Sequence, residues 1–172
     1  MRRIKLFIAT SLDGYIARPD GGIDWLFTDG DYGYREFFAS IDTVVMGRKT
    51  WELSLSFGEY PYTGTAAYVF SRSRAGTRDA RAEFVGEPVG SFMRRLQRQP
   101  GRDLWLVGGG ELVRAFVDED LIDDFIISVH PIVLGAGLPL FPSPCRERVL
   151  RHVKTIPFDS GLVQLHYEAR RD

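Results

Sequence analysis

Short apolar runs rich in β-branched residues alternate with helical segments as far as Leu121, and after that only strands follow. No other feature constrains the fold as tightly. Residues 4–9 ("IKLFIA"), 43–47, 66–72, 82–85 and 104–107 are too short and too continuously apolar for helices, and read as buried strands. Residues 32–40, with Asp31 as N-cap, then 49–55, a segment from Pro88 to Gln99, and 111–119 read as helices. In the last of these, Leu112, Val113, Phe116 and Val117 share one face. Beyond Leu121, "DDFIISVHPIVLG" predicts one long strand, with Pro131 marking an edge or bulge. "ERVLRHVKTI" and "GLVQLHYEAR" predict a hairpin around "PFDS", with Val163, Leu165 and Tyr167 on one face. The order predicts a three-layer α/β fold: a central, mostly parallel mixed sheet, helices on both faces, and antiparallel strands added at the C-terminal end. No repeat, linker or low-complexity tract divides the chain, so residues 1–172 read as one domain.

Charge narrows the partners. Lys plus Arg is 22 and Asp plus Glu is 23, a formal net charge of −1. That balance gives no electrostatic reason to expect nucleic acid or membrane as a partner. The single cysteine, Cys145, excludes an internal disulfide and suits a reducing compartment. The basic start "MRRIKLFIATSLDG" has too short an apolar stretch for a secretory signal. The expectation is a cytoplasmic protein.

Two stretches carry candidate chemistry. "DLWLVGGGELVRAFV" runs a strand into three glycines, Gly108, Gly109 and Gly110, and then into a helix. "TVVMGRKTWE" repeats the grammar with Gly47, Arg48 and Lys49. Backbone N–H groups at a helix start lack partners and carry partial positive charge, so an anion fits there, and glycine lets it approach. The triplet is no P-loop, since no Gly-Lys-Ser/Thr follows. It is a poor dinucleotide fingerprint, since the sixth position is Val113. A tight strand-to-helix turn without ligand accounts for it equally well. Ser71 and Arg72 follow another strand, so three strand ends carry Gly, Ser or Arg at the edge where open α/β sheets bind ligands. Arginine adds a bidentate grip on phosphate.

In order and spacing, "TVVMGRKTWE", "YVFSR" and "LWLVGGGELVRAFV" resemble dihydrofolate reductase. "ATSLDGYIA" and "LIDDFIISVHPIVLGAGLPLF" are more similar to the C-terminal reductase domain of the bifunctional riboflavin-biosynthesis deaminase-reductase and its stand-alone relatives. The resemblance implies a dihydrofolate reductase-like fold and an NADPH-dependent oxidoreductase. By matching position it places Ala9 and Ile16 near the nicotinamide. Gly47, Arg48, Lys49 and Thr50 would hold the pyrophosphate and 2′-phosphate side, and Ser71 and Arg72 the adenosine end. Gly108, Gly109, Gly110, Glu111 and Leu112 would wrap the pyrophosphate from the opposite side. Asp13 and Trp25 are the substrate-side candidates; a turn-forming aspartate and a packed indole are their alternatives. Asp31 is the candidate for the acid that dihydrofolate reductase carries early in its first helix, with N-capping as its alternative role. The loop from Arg18 to Trp25 is a candidate lid.

The implied reaction is hydride transfer to a pteridine- or pyrimidine-type heterocycle. Reduction of 5-amino-6-(5-phosphoribosylamino)uracil is the leading expectation and dihydrofolate reduction the second. A non-catalytic dinucleotide-binding protein of the same fold, or a purely structural dimer, are the alternatives. The H-x-E and P-C-x-x-C signature of a zinc deaminase is missing, and His130, His152 and His166 lack metal-ligand spacing, so no metal is expected. "VDEDLIDD" reads as a solvated helix end and loop. A homodimer is expected from the resemblance and from long C-terminal strands whose edges need covering.

Overall fold

The computed structural model describes residues 1–170. Ten strands and four helices follow one another as β1 (Ile4–Thr10), β2 (Tyr15–Ala17), α1 (Tyr34–Ser40), β3 (Ile41–Gly47), α2 (Arg48–Leu55), β4 (Ala66–Phe70), β5 (Glu83–Val85), α3 (Val89–Gln97), β6 (Asp103–Gly108), α4 (Gly110–Asp118), β7 (Asp124–Val129), β8 (Leu138–Pro139), β9 (Leu150–Pro157) and β10 (Val163–Ala169). Eight strands form one sheet in the order β5-β4-β3-β6-β1-β7-β10-β9. The first six in that order are mutually parallel, and β10 runs antiparallel to both β7 and β9. This is the mostly parallel mixed sheet, with antiparallel strands at the C-terminal end, that the sequence predicts. Burying β1, β3 and β6 between helices on both faces explains why their sequences are apolar at nearly every position rather than at alternate ones.

Each face has its own core. Phe92, Met93 and Leu96 of α3 and Leu112, Val113, Phe116 and Val117 of α4 cover Ile4, Leu6, Leu104 and Leu106 on one side. Phe37 of α1, Trp51 of α2 and Tyr62 cover Val44, Met46 and Trp105 on the other. Phe7 stacks on Phe37 at a ring separation of 4.2 Å, which seats α1 against β1.

Three sequence expectations are corrected. The first helix starts at Tyr34, not at residue 32, because Tyr32 (φ +49°) and Gly33 (φ +81°) lie in the left-handed region, outside helical geometry. Gly33 is therefore the N-cap in place of Asp31. Asp31 supports the same turn from further back, its carboxylate accepting from the Arg35 N–H at 3.1 Å. The strand expected over residues 123–135 stops at Val129. Pro131 has no N–H to continue the ladder, and the Ile132 N–H turns back to the His130 carbonyl at 2.8 Å. The acidic run near residue 120 is not wholly solvated: Asp123 is buried and accepts from the Ile4 N–H at 2.7 Å. The β2–β8 ribbon, three residues against two, was not expected at all.

The sheet's two ends differ. Backbone bonds from Asp123 N–H to Ile4 and from Ala169 N–H to Asp123 gather the start of β1, the start of β7 and the end of β10 at one end. The carboxyl termini of the six parallel strands gather at the other. No helix among the described residues is long and apolar enough to cross a membrane.

Candidate functional site

Connectivity singles out the carboxyl end. β6 inserts between β1 and β3, so the connections leaving β3 and β6 diverge there, the arrangement at which open α/β sheets bind ligands. The two glycine stretches face each other there. A Cβ placed on Gly47 would lie 3.9 Å from both the Gly108 carbonyl oxygen and the Gly109 nitrogen. One placed on Gly109 would lie 3.5 Å from Thr50 Oγ1. Gly47 is the N-cap of α2 and Gly109 that of α4, and neither helix start has a side-chain cap. Two helix N-termini, from opposite faces of the sheet, thus present uncapped N–H groups to one place.

Three basic residues follow neighbouring strand ends at this edge. Arg48 opens α2 and holds Glu52 at 2.8 Å on the surface. Lys49 and Arg72 are exposed and form no ion pair among the described residues. Ser71 is buried; its hydroxyl accepts from the Arg74 N–H at 3.3 Å, and the Arg74 guanidinium lies 3.8 Å above the Phe84 ring. Of the remaining cofactor candidates, Glu111 is exposed and paired with Arg114 at 2.9 Å. Leu112 turns its side chain into the core, which leaves only its backbone for a ligand. Ala9 is half-buried near the end of β1, next to Ile8, whose Cδ1 would lie 3.5 Å from a Cβ on Gly108; Ile16 is on β2.

The substrate-side candidates separate. Asp13 ties the loop after β1 to the loop after β7, its carboxylate accepting from the N–H groups of Leu134 (3.1 Å) and Gly135 (2.8 Å). The Ser11 hydroxyl foremost, and then these amides, hold its pKa down to about 2. Trp25 is buried edge-on against His130 at a ring separation of 5.2 Å, and its indole Nε1 has no hydrogen-bond partner among the described residues. The expected lid closes on itself: Arg18 grips Asp24 through two bonds of 2.6 and 3.0 Å, and its N–H reaches the Gly22 carbonyl at 2.9 Å. Asp31 stays at the surface, its side chain 43% exposed and 3.7 Å from Arg35.

Beneath this loop lies a buried polar group that sequence reading missed. Thr10, Ser11, Ser128, His130 and Gln164 are all buried at the ends of β1, β7 and β10, and none is a carboxylate. His130 accepts from the Phe27 N–H through Nε2 (3.2 Å) and donates from Nδ1 to the Ser128 carbonyl (3.2 Å), which fixes the neutral tautomer. Burial pushes its pKa down. In β10 the apolar residues Val163, Leu165 and Tyr167 suggested a single buried face. Gln164, between the first two, is in fact more buried than any of them. The missed signal was a lone glutamine in a strand whose other face the segment before α1 also covers.

Residues 2–164 match the family described as RibD C-terminal domain. The chain belongs to that family. It is 44% identical to the protein YwjB of Bacillus subtilis strain 168 over 170 residues, covering 96% of this chain and 97% of YwjB. Among solved structures, a putative riboflavin biosynthesis protein from Shewanella sp. PV-4 superimposes with a TM-score of 0.88 at 30% identity, over 98% of this chain and 99% of that one. Two more distant likenesses show the fold. One is the Thermotoga maritima diaminohydroxyphosphoribosylaminopyrimidine deaminase/5-amino-6-(5-phosphoribosylamino)uracil reductase: TM-score 0.74, 16% identity, 98% of this chain and 57% of that one. The other is Enterococcus faecalis dihydrofolate reductase complexed with NADP(H): TM-score 0.75, 17% identity, 98% of this chain and 97% of that one.

Proposed function

We propose that this RibD C-terminal domain protein is an NADPH-dependent reductase of a pyrimidine-type heterocycle. The observation that carries the reading is the close approach of two helix N-termini without side-chain caps, at Gly47 and Gly109, with no Cβ on either glycine to cover the N–H groups. A pyrophosphate suits that cradle, because it neutralises both positive helix ends and accepts from their free N–H groups. Lys49, Arg48 and Arg72 supply the cations that a 2′-phosphate needs, which favours NADPH over NADH. Bound there, the cofactor would supply a hydride to the electrophilic carbon of the substrate.

The chain's own residues orient and shield. Ala9 offers a small side chain where a flat ring must come close, and the segment carrying Trp25 excludes water. The unpartnered Trp25 N–H is a donor that an acceptor on the substrate can satisfy once the loop adjusts. With no carboxylate among the buried polar side chains at this end, the accompanying proton comes from water. Asp31 then keeps to its helix turn, and Asp31→Asn should leave turnover within about twofold; a loss of 10²-fold or more, typical for removal of a general acid, would restore it as the proton donor.

Family membership and the likeness to the Thermotoga enzyme support 5-amino-6-(5-phosphoribosylamino)uracil as substrate. The deciding experiment titrates the purified protein with NADPH and NADH, read by tryptophan fluorescence, and then follows NADPH oxidation with that compound. Tight NADPH binding with turnover is the expected result. Binding without hydride transfer to any heterocycle would favour a non-catalytic dinucleotide-binding protein, and no binding would reduce the glycine triplet to a turn.

The protein is also proposed to be a homodimer through β9. That edge strand is exposed along most of its length, including Val153, and Val149 beside it is 60% exposed. Sedimentation at micromolar concentration should show a dimer, and a monomer there rejects it.

A further inference from the structure

Three residues form a row across three strands at the cleft end of the sheet. Ala9 of β1 pairs with Ser128 of β7, and Ser128 pairs with Gln164 of β10. Paired positions share a sheet face, so all three lie on the side covered by α1. Gln164 is 3% exposed. Its Nε2 donates to the Tyr32 carbonyl and to Ser128 Oγ, each at 3.1 Å, and its Oε1 lies 2.8 Å from His166 Nε2. A carbonyl only accepts, so the amide nitrogen must face Tyr32 and the amide oxygen must face His166. His166 therefore carries a hydrogen on Nε2. Every hydrogen-bonding group of the Gln164 amide is then used.

Two consequences follow for the cleft. Ser128 Oγ receives a hydrogen bond, so its own hydrogen is left to donate, and among the described residues nothing accepts it. Tyr32, in a left-handed backbone conformation ahead of α1, is held there by its carbonyl. One amide thus leaves a buried hydroxyl free to donate at the end of β7 and anchors the segment ahead of α1.

We propose that Gln164 is the positioning residue of the substrate side: it orients the Ser128 hydroxyl toward an acceptor on the bound heterocycle and fixes the Tyr32–Gly33 turn over it. This rests on the reading above, in which the nicotinamide lies beside Ala9. The pairing suits a substrate with carbonyl oxygens or unprotonated ring nitrogens, such as a uracil, rather than one that must be met by a carboxylate.

The test compares wild type with Ser128→Ala, Ser128→Thr and Gln164→Glu, measuring NADPH dissociation constants by fluorescence, KM and kcat for 5-amino-6-(5-phosphoribosylamino)uracil, and binding of that compound to the NADP⁺-saturated protein. The Ser128→Ala and Gln164→Glu variants should raise KM or the dissociation constant of the heterocycle by tenfold or more, with NADPH affinity within twofold of wild type. The Ser128→Thr variant, which keeps the hydroxyl, should recover most of the loss. Equal behaviour of the alanine and threonine variants overturns the proposal, as does a matching loss of NADPH affinity. A wild type that binds NADPH but not the heterocycle overturns it too. Failure of wild type to bind NADPH instead removes the reading on which it rests. Should the Gln164 variant not fold, the Ser128 pair still decides.

Discussion

Gly108 occupies a backbone region (φ +135°) that side chains rarely adopt, Gly110 is required by what lies beside it, and Gly109 is under neither constraint. A Cβ on Gly110 would collide with the Pro139 carbonyl oxygen, so Gly110→Ala should cost about 1–3 kcal/mol, a fall of roughly 2–10 °C in Tm, by differential scanning calorimetry. A Cβ on Gly109 meets Thr50 at an ordinary contact distance of 3.5 Å. Gly109→Ala should therefore keep its Tm within about 2 °C and still lose NADPH binding, because the methyl fills the cradle. NADPH affinity unchanged in Gly109→Ala would show that this glycine serves no ligand. Arg48 belongs to the same cradle but bonds only the exposed Glu52. Its replacement by alanine should weaken NADPH about tenfold or more and leave NADH nearly unchanged, the signature of a lost charge-assisted bond to phosphate.

At the scale of elements, the segment between β2 and α1 is set by what it leans on. Phe27 rests on His130 at a ring separation of 4.9 Å, Tyr32 on Phe158 at 4.9 Å, and the Phe27 N–H on the His130 Nε2. That last bond requires an unprotonated ring nitrogen. Burial lowers the folded pKa of His130 below its ordinary 6.5, so as pH falls through 6.5 the unfolded chain takes up a proton that the folded chain refuses. Stability from this site is complete above that pH and declines below it. Thermal scans from pH 7.5 to 5 should show a falling Tm, with a shallower fall in His130→Gln; parallel curves would remove His130 from the account. The same segment marks where sequence reading stopped working. Continuous apolar runs identified β1, β3 and β6 because both faces of those strands are buried. The first helix was placed two residues early because nothing local in "DYGY" reports that Tyr32 is left-handed; the Gln164 amide that holds its carbonyl is 132 positions away. β7 was drawn too long because Val133 continues the apolar pattern although it is 66% exposed.

Across the whole molecule, the glycine-lined end of the sheet was more legible in the sequence than the buried polar row beside it. Glycines and arginines at strand ends are read one segment at a time, and Gly47, Thr50 and Gly109 do meet. The row of Ala9, Ser128 and Gln164 exists only through strand order, which no local pattern reports. Charge placement also belongs to this scale. With Lys49 and Arg72 in no ion pair among the described residues, the proposed site would attract anions although the chain is nearly neutral. NADPH association should slow as salt rises from 0.05 to 0.5 M in stopped-flow fluorescence; a salt-independent rate would place the phosphates elsewhere.

The backbone bonds that gather Ile4, Asp123 and Ala169 at one end of the sheet have an architectural consequence. Residues near 1 and near 170 both emerge behind the cleft, on the side its mouth does not face. A neighbour fused at either position would hang from the rear of the domain like a trailer from its hitch, leaving the passage of small molecules at the front unobstructed. The fold matches just over half of the larger Thermotoga chain.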